Sequence, residues 1–185
     1  MDEQKIILVS IGYFERDLLI KVAEAVSYEF KYPVKIKEGH LDLSEYYDSG
    51  RRQYNAHKLL ELVNALVLPE AVKTIGLFNV DLFIPILTYI FGQAVLGGKT
   101  GIASLFRLSN ERYGMTPDKD ILLERFKKEV IHELGHTFGL IHCQNTECVM
   151  RSSTYVEDID LKTLHLCPSC KDKFHLRPDF VTKPI

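Results

Sequence analysis

The chain has no excess charge of either sign, no apolar run long enough to cross a bilayer, and no cysteine before position 143. Lys plus Arg total 23 against 25 Asp plus Glu, a formal charge of -2. No global field therefore recruits nucleic acid or an anionic membrane. The longest apolar stretches, Leu59 to Leu68 and Leu82 to Leu87, are broken by Glu, Asn or Pro well short of the roughly 18 residues a span requires. The N-terminus has only the brief run Ile6 to Ile11, with no extended apolar region and no small-residue cleavage site, so no secretory signal is read and a cytoplasmic location is expected. Internal repeats and low-complexity segments are absent as well. What is present, 46% hydrophobic and 26% charged residues in 185, is the composition of a folded domain. One domain spanning 1–185 is expected, with a sheet and helix part over 1–142 and a C-terminal metal-binding segment over 143–185; a chain of this length buries roughly 70% of its unfolded surface.

The pattern along the chain reads strand, helix, strand at the start. Residues 6–11, IILVSI, suit a strand buried on both faces, ending at Gly12. Leu18, Leu19, Val22, Val26 and Phe30 recur at helical spacing over 14–30, and 33–37 alternates as a half-buried strand. Residues 39–53 are polar and Tyr-rich and read as a surface loop, and 54–67 as a helix. Residues 73–80 are expected to be the central strand. Residues 88–107 hold two β-like halves about Gly97-Gly98, a hairpin or edge strand, and 100–107 in particular reads either as an ordinary sheet edge or as one that pairs with an extended peptide. After a loop over 110–119, a long amphipathic helix follows, with Gly139 placed as its left-handed stop.

The end of that helix carries the chemistry. His132-Glu133-Leu134-Gly135-His136-Thr137-Phe138-Gly139-Leu140-Ile141-His142 reads HExxHxxGxxH. Histidines four apart leave the same face of a helix one turn apart and can grip one ion, which zinc suits. Glu133 stays outside the ligand set but within reach of a metal-activated water. Gly139 lets the chain turn back so that His142 supplies a third ligand, and three protein ligands leave the open position of a catalytic zinc site. HExxH alone arises by chance in about one of 50 chains of this length, the longer motif in roughly one of 20,000. The short motif is weak evidence and the long one strong.

Cys143-x4-Cys148 and, eighteen residues later, Cys167-x2-Cys170 form a second constellation. Two cysteine pairs at this separation suit a closed tetrahedral structural zinc; disulfides, a redox CxxC or an iron-sulfur cluster are the alternatives. Two zinc ions per chain are thus expected. His142 and Cys143 are neighbours, and successive side chains of an extended segment point to opposite sides, so one stretch of backbone is expected to serve both metals.

These residues resemble a family. HExxHxxGxxH is the metzincin signature, and its continuation His142-Cys143-x4-Cys148-x-Met150, followed by Cys167-x-x-Cys170, is similar to the archaemetzincins. Sixteen residues, Arg151 to Leu166, separate Met150 from the CxxC, one fewer than in the family pattern. The resemblance implies a Met-turn beneath the zinc, with Met150 as an apolar floor rather than a catalytic group. It also implies a compact α/β metzincin-like domain: a twisted mixed sheet, flanking helices, and the HExxH helix flooring a cleft capped by the four-cysteine segment.

The expected activity is zinc-dependent hydrolysis of peptide bonds in a peptide or protein, with Glu133 as general base and then general acid. The second reading is a zinc-ribbon-like interaction module whose peptidase centre is vestigial or tightly restricted. An open cleft reaching the histidines separates the two. No nucleic acid or membrane partner is expected, and no motif specifies an oligomeric state. Nothing in the sequence reads as a pro-segment, so restraint is expected from a narrow cleft or strict specificity. His40, His57, His165 and His175 read as surface or packing residues, and Tyr155 and Arg151 as candidates for oxyanion stabilisation.

Overall fold

The apolar run at the start forms β1 (Lys5–Ile11), whose side chains alternate between two cores. The chain is described by a computed structural model at residues 4–66 and 68–176. Val67, at the end of the second expected helix, and 177–185, at the end of the expected C-terminal segment, lie outside the described residues. After Gly12, at φ 91°, come α1 (Arg16–Phe30) and β2 (Val34–Gly39). Lys31 ends α1 in the left-handed region, its N–H donating to the Ser27 carbonyl, and Pro33 prevents continuation.

The stretch 39–53 is not wholly loop. It holds a 3₁₀ turn at Ser44–Tyr46 and the short strands β3 (Tyr47–Asp48) and β4 (Gln53–Asn55), too brief to show a period. Helix α2 (Ala56–Asn64) starts two residues later than its apolar pattern because the Asn55 side chain accepts the Lys58 N–H and so fixes the N-terminus there. Then follow β5 (Ala71–Phe78), β6 (Leu82–Phe83), β7 (Gly92–Ala94) and β8 (Thr100–Ser104). The long helix is α3 (Lys119–Thr137), and two short helices, α4 (Val156–Asp160) and α5 (Pro168–His175), complete the described chain.

The five-stranded sheet has the order β2-β1-β5-β8-β7, parallel except for the antiparallel β7, so β5 is central as expected. A second sheet, β3-β4-β6, is also mixed. Ile6 and Leu8 of β1 pack with Val22, Val26 and Phe30 of α1 and Val130 and Leu134 of α3; Ile7 and Val9 pack with Leu59 and Val63 of α2 on the other face. Cys148, Leu166, Cys170 and Phe174 belong to the same core as α1 and α3, so the cysteine segment is anchored in the main body.

One expectation is corrected. Residues 100–107 are not a sheet edge. β8 lies between β5 and β7 with all five residues buried, and Phe106–Leu108 is a 3₁₀ turn. Ile102 and Ala103 face opposite cores, which gives β8 the fully apolar surroundings of an interior strand. The edge on that side is β7.

Candidate active site

Asp118 caps α3 by accepting the N–H groups of Asp120 and Ile121, and the helix then runs beneath β7 and β8. At its other end the Leu140 N–H donates to the Gly135 carbonyl and Gly139 adopts φ 73°, so the chain reverses at the glycine of the motif. Buried Lys73 fastens this turn from β5, donating to the carbonyls of Thr137 and Gly98 at 2.8 Å each. The β7–β8 turn is thereby fixed to the end of α3.

The reversal brings His142 to His132 and His136. One ring nitrogen from each of the three lies within 4.8 Å of the others, and Nε2 of His132 and of His136 are 3.1 Å apart. Nitrogens bound tetrahedrally at about 2.0 Å would be separated by about 3.3 Å, so the group fits a single zinc ion. His132 Nδ1 donates to the Val149 carbonyl at 2.8 Å and His136 Nδ1 to the Leu140 carbonyl at 2.7 Å, which leaves the Nε2 lone pairs free for metal. Burial lowers the pKa of all three, most strongly at His132, and so favours the neutral, ligating form.

Cys143, Cys148, Cys167 and Cys170 gather into a second group, with all four thiols unlinked. Sγ of Cys143 lies 3.8 Å from that of Cys167, and Sγ of Cys148 3.8 Å from that of Cys170. Thiolates at about 2.3 Å from one tetrahedral zinc sit about 3.8 Å apart, and that spacing is far beyond a disulfide bond. The segment His142-Cys143 does serve both groups.

Glu133 is 5% exposed and lies against β7: a Cβ at Gly92 would stand 2.7 Å from Glu133 Cγ and 2.7 Å from the Ile102 carbonyl. Burial raises its pKa well above the ordinary carboxylate value, and the carboxyl of Glu129, hydrogen-bonded to it, raises it further. Met150 is fully buried, and its sulfur occupies the space that a side chain at Gly135 would need. It is a packing element under the histidines.

These groups floor a cleft of about 650 Å³ between two walls, Ile84 to Leu96 on the side of β7 and Ser152 to Tyr155 after the Met150 turn. Tyr89 ties the walls by donating to the Thr154 carbonyl at 3.2 Å. Tyr155 lines the cleft at 62% exposure, whereas Arg151 points away and donates to the Gln144 carbonyl. The remaining histidines stand apart from the centre: His165 on Glu29, His57 on Gln93, His175 against Phe174, and His40 exposed. Two charged residues absent from the motif reading, Glu129 and Lys162, line the cleft, 5% and 4% exposed. Glu129 sits one turn before Glu133, a spacing that was visible; the burial of Lys162 has no sequence signal.

The sequence profile of peptidase family M54 matches residues 4–176. The chain belongs to peptidase family M54. Archaemetzincins from two archaea are among its relatives. That of Pyrococcus horikoshii is 42% identical over 148 residues, covering 77% of this chain and 79% of the relative. That of Thermococcus kodakarensis is 38% identical over 175 residues, 91% and 94% of the two chains. In three dimensions the archaemetzincin of Methanopyrus kandleri aligns with a TM-score of 0.82 at 33% identity, over 94% of each chain. A zinc-dependent peptidase of Methanocorpusculum labreanum aligns equally well at 28% identity, over 91% of this chain and 99% of its own. This member of the family is a zinc metallopeptidase with the metzincin-like α/β fold, and its substrates are peptides or proteins. Among the described residues no helix is long and apolar enough to cross a membrane.

Proposed function

We propose that this chain hydrolyses peptide bonds at the three-histidine centre, with His132, His136 and His142 as zinc ligands and Glu133 as the proton carrier. The observation that carries the reading is the convergence of three histidine nitrogens and the Glu133 carboxyl on one open cleft. A zinc ion held there supplies Lewis acidity, bringing the pKa of water to about 7 and polarising the scissile carbonyl. Glu133 accepts a proton from the attacking water as its oxygen bonds to the carbonyl carbon. It then gives that proton to the amine nitrogen as the C–N bond breaks. A carboxyl held above its ordinary pKa by burial suits both halves of that transfer.

The substrate lies in extended form along β7. The Val95 N–H donates to the Thr100 carbonyl and the Ser104 N–H to the Phe91 carbonyl, so in the antiparallel alternation Gly92 and Ala94 turn their polar groups away from β8, toward the cleft they line. This is the arrangement by which an extended peptide adds to a sheet. Of the two oxyanion candidates Tyr155 is favoured, because it lines the cleft and Arg151 does not. The four cysteines hold a second, structural zinc, and the chain acts as one domain. The interaction-module reading is less favoured, because the cleft that reaches the histidines is open rather than filled.

Elemental analysis and peptide-library cleavage on the same samples test this. Wild type is expected to hold two zincs per chain, His136→Ala one. Glu133→Gln should keep both while losing cleavage by roughly 10²- to 10⁴-fold, the contribution expected of a general acid–base group. One zinc held by the cysteines alone, with no cleavage, would move the interaction module to first place.

A further inference from the structure

Lys162 is a buried ammonium that the hydrolytic scheme above does not use. It lies in the linker between Met150 and Cys167, only 4% exposed, and lysines are rarely so buried unless something compensates their charge. Three groups around it do so. Its Nζ approaches the Val149 carbonyl at 3.4 Å, the same oxygen that accepts the His132 Nδ1 proton at 2.8 Å. Burial lowers the Lys162 pKa, and the charges of Glu129 and Glu133, one helical turn apart on α3, oppose that effect. All of these side chains line the floor of the same cleft.

We propose that Lys162 is a positioning residue for hydrolysis: its ammonium is the counter-charge that holds the Glu129–Glu133 pair beneath the histidines and steadies the carbonyl that orients His132. The proposal rests on the peptidase reading of the site. Two carboxyl groups packed against each other away from water repel when ionised, and a positive charge beside them removes the reason to swing apart. Gly92 leaves Glu133 no room to move toward β7, since even a methyl group there would meet Glu133 Cγ at 2.7 Å. With that approach closed, Lys162 and Glu129 are the charged groups of the cleft floor left to bear on the carboxylate. A buried charge facing two of opposite sign is costly to remove singly, because its partners are left uncompensated, and much less costly to remove together with one of them.

That asymmetry gives the test. kcat, KM, zinc content and the unfolding midpoint are measured for wild type, Lys162→Met, Glu129→Gln, the double variant and Glu133→Gln, all as the zinc-loaded protein. Lys162→Met is expected to keep the zinc content of wild type, lose roughly 10- to 100-fold in kcat as supporting residues of metal centres do, and leave KM within about threefold. In the Glu129→Gln background the same change should cost under about threefold in kcat, and the midpoint lost in the single variant should be largely recovered. Equal losses in both backgrounds, an unchanged kcat, or a loss that follows loss of zinc would overturn the proposal. If Lys162→Met does not fold, the double variant decides: its folding supports charge compensation, and its failure beside a folded Glu129→Gln overturns it. Wild type without cleavage, or Glu133→Gln with full cleavage, would instead overturn the peptidase reading itself.

Discussion

In the proposed reaction Glu133 carries a proton between water and the leaving amine only if its carboxyl stays where both can reach it, and Gly92 bounds that carboxyl from the β7 side. The missing side chain leaves space that Glu133 fills, with the Ile102 carbonyl closing the other approach at 2.7 Å from where a Cβ would stand. Backbone cannot yield as a flexible side chain can. Gly92→Ala is therefore expected to lower stability by about 1–3 kcal/mol, the usual range for overpacking, and to reduce kcat about tenfold or more while zinc content holds. Chemical denaturation together with steady-state kinetics checks it; a variant with wild-type kcat would show that Glu133 does not depend on this contact. The contrast with the motif residues shows why some of the site was legible. His132, His136 and Glu133 are related by the geometry of one helix, and the cysteine pairs by local turns, so spacing encodes them. Gly92, Glu129 and Lys162 come to one cleft from segments as much as 70 residues apart, and one sequence does not record such packing.

Elements with a long, uninterrupted period were readable for a similar reason. β1, α1, β5 and α3 fall close to their expected positions because each buries a continuous apolar face. β3, β4 and β6 have two or three residues each, fewer than a period needs. The exchange of roles between β7 and β8 has a different cause: both follow apolar or small residues, and only the pairing of β8 with β5 makes it interior. The consequence for function is specific to β7. Proline at an edge strand removes a donor without breaking the ladder when the donor faces outward, and the N–H of Ala94 faces the cleft rather than β8. Ala94→Pro is expected to raise KM for peptides about three- to tenfold, about the worth of one hydrogen bond, with zinc content unchanged and a smaller effect on kcat. A KM equal to that of wild type, measured on the same peptide, would remove β7 from substrate binding.

Across the whole molecule the two metal groups are joined by more than the His142-Cys143 dipeptide. Cys148 is followed directly by Val149, whose carbonyl fixes the His132 ring, and by Met150, whose carbonyl accepts the Cys143 N–H at 3.0 Å and whose sulfur packs on Gly135. The Val149 N–H in turn donates to the His165 carbonyl in the strand of chain leading into Cys167, and Glu29 of α1 holds that stretch through the His165 ring and the Leu166 N–H. The cysteine cluster thus closes a loop around the residues that orient the histidines, and a zinc ion bound there would limit how far the loop can open. Cys170→Ser removes one thiolate and none of the histidine ligands. Zinc affinity at the three-histidine centre, measured by chelator competition, is expected to fall about 10- to 100-fold, as when groups that orient ligands are lost. Cleavage at saturating zinc should return toward the wild-type value, because the ligands and Glu133 are intact. Unchanged affinity at the histidine centre would mean that the loop keeps its shape through the Glu29 and core contacts alone, and the two metal groups would then be neighbours without coupling.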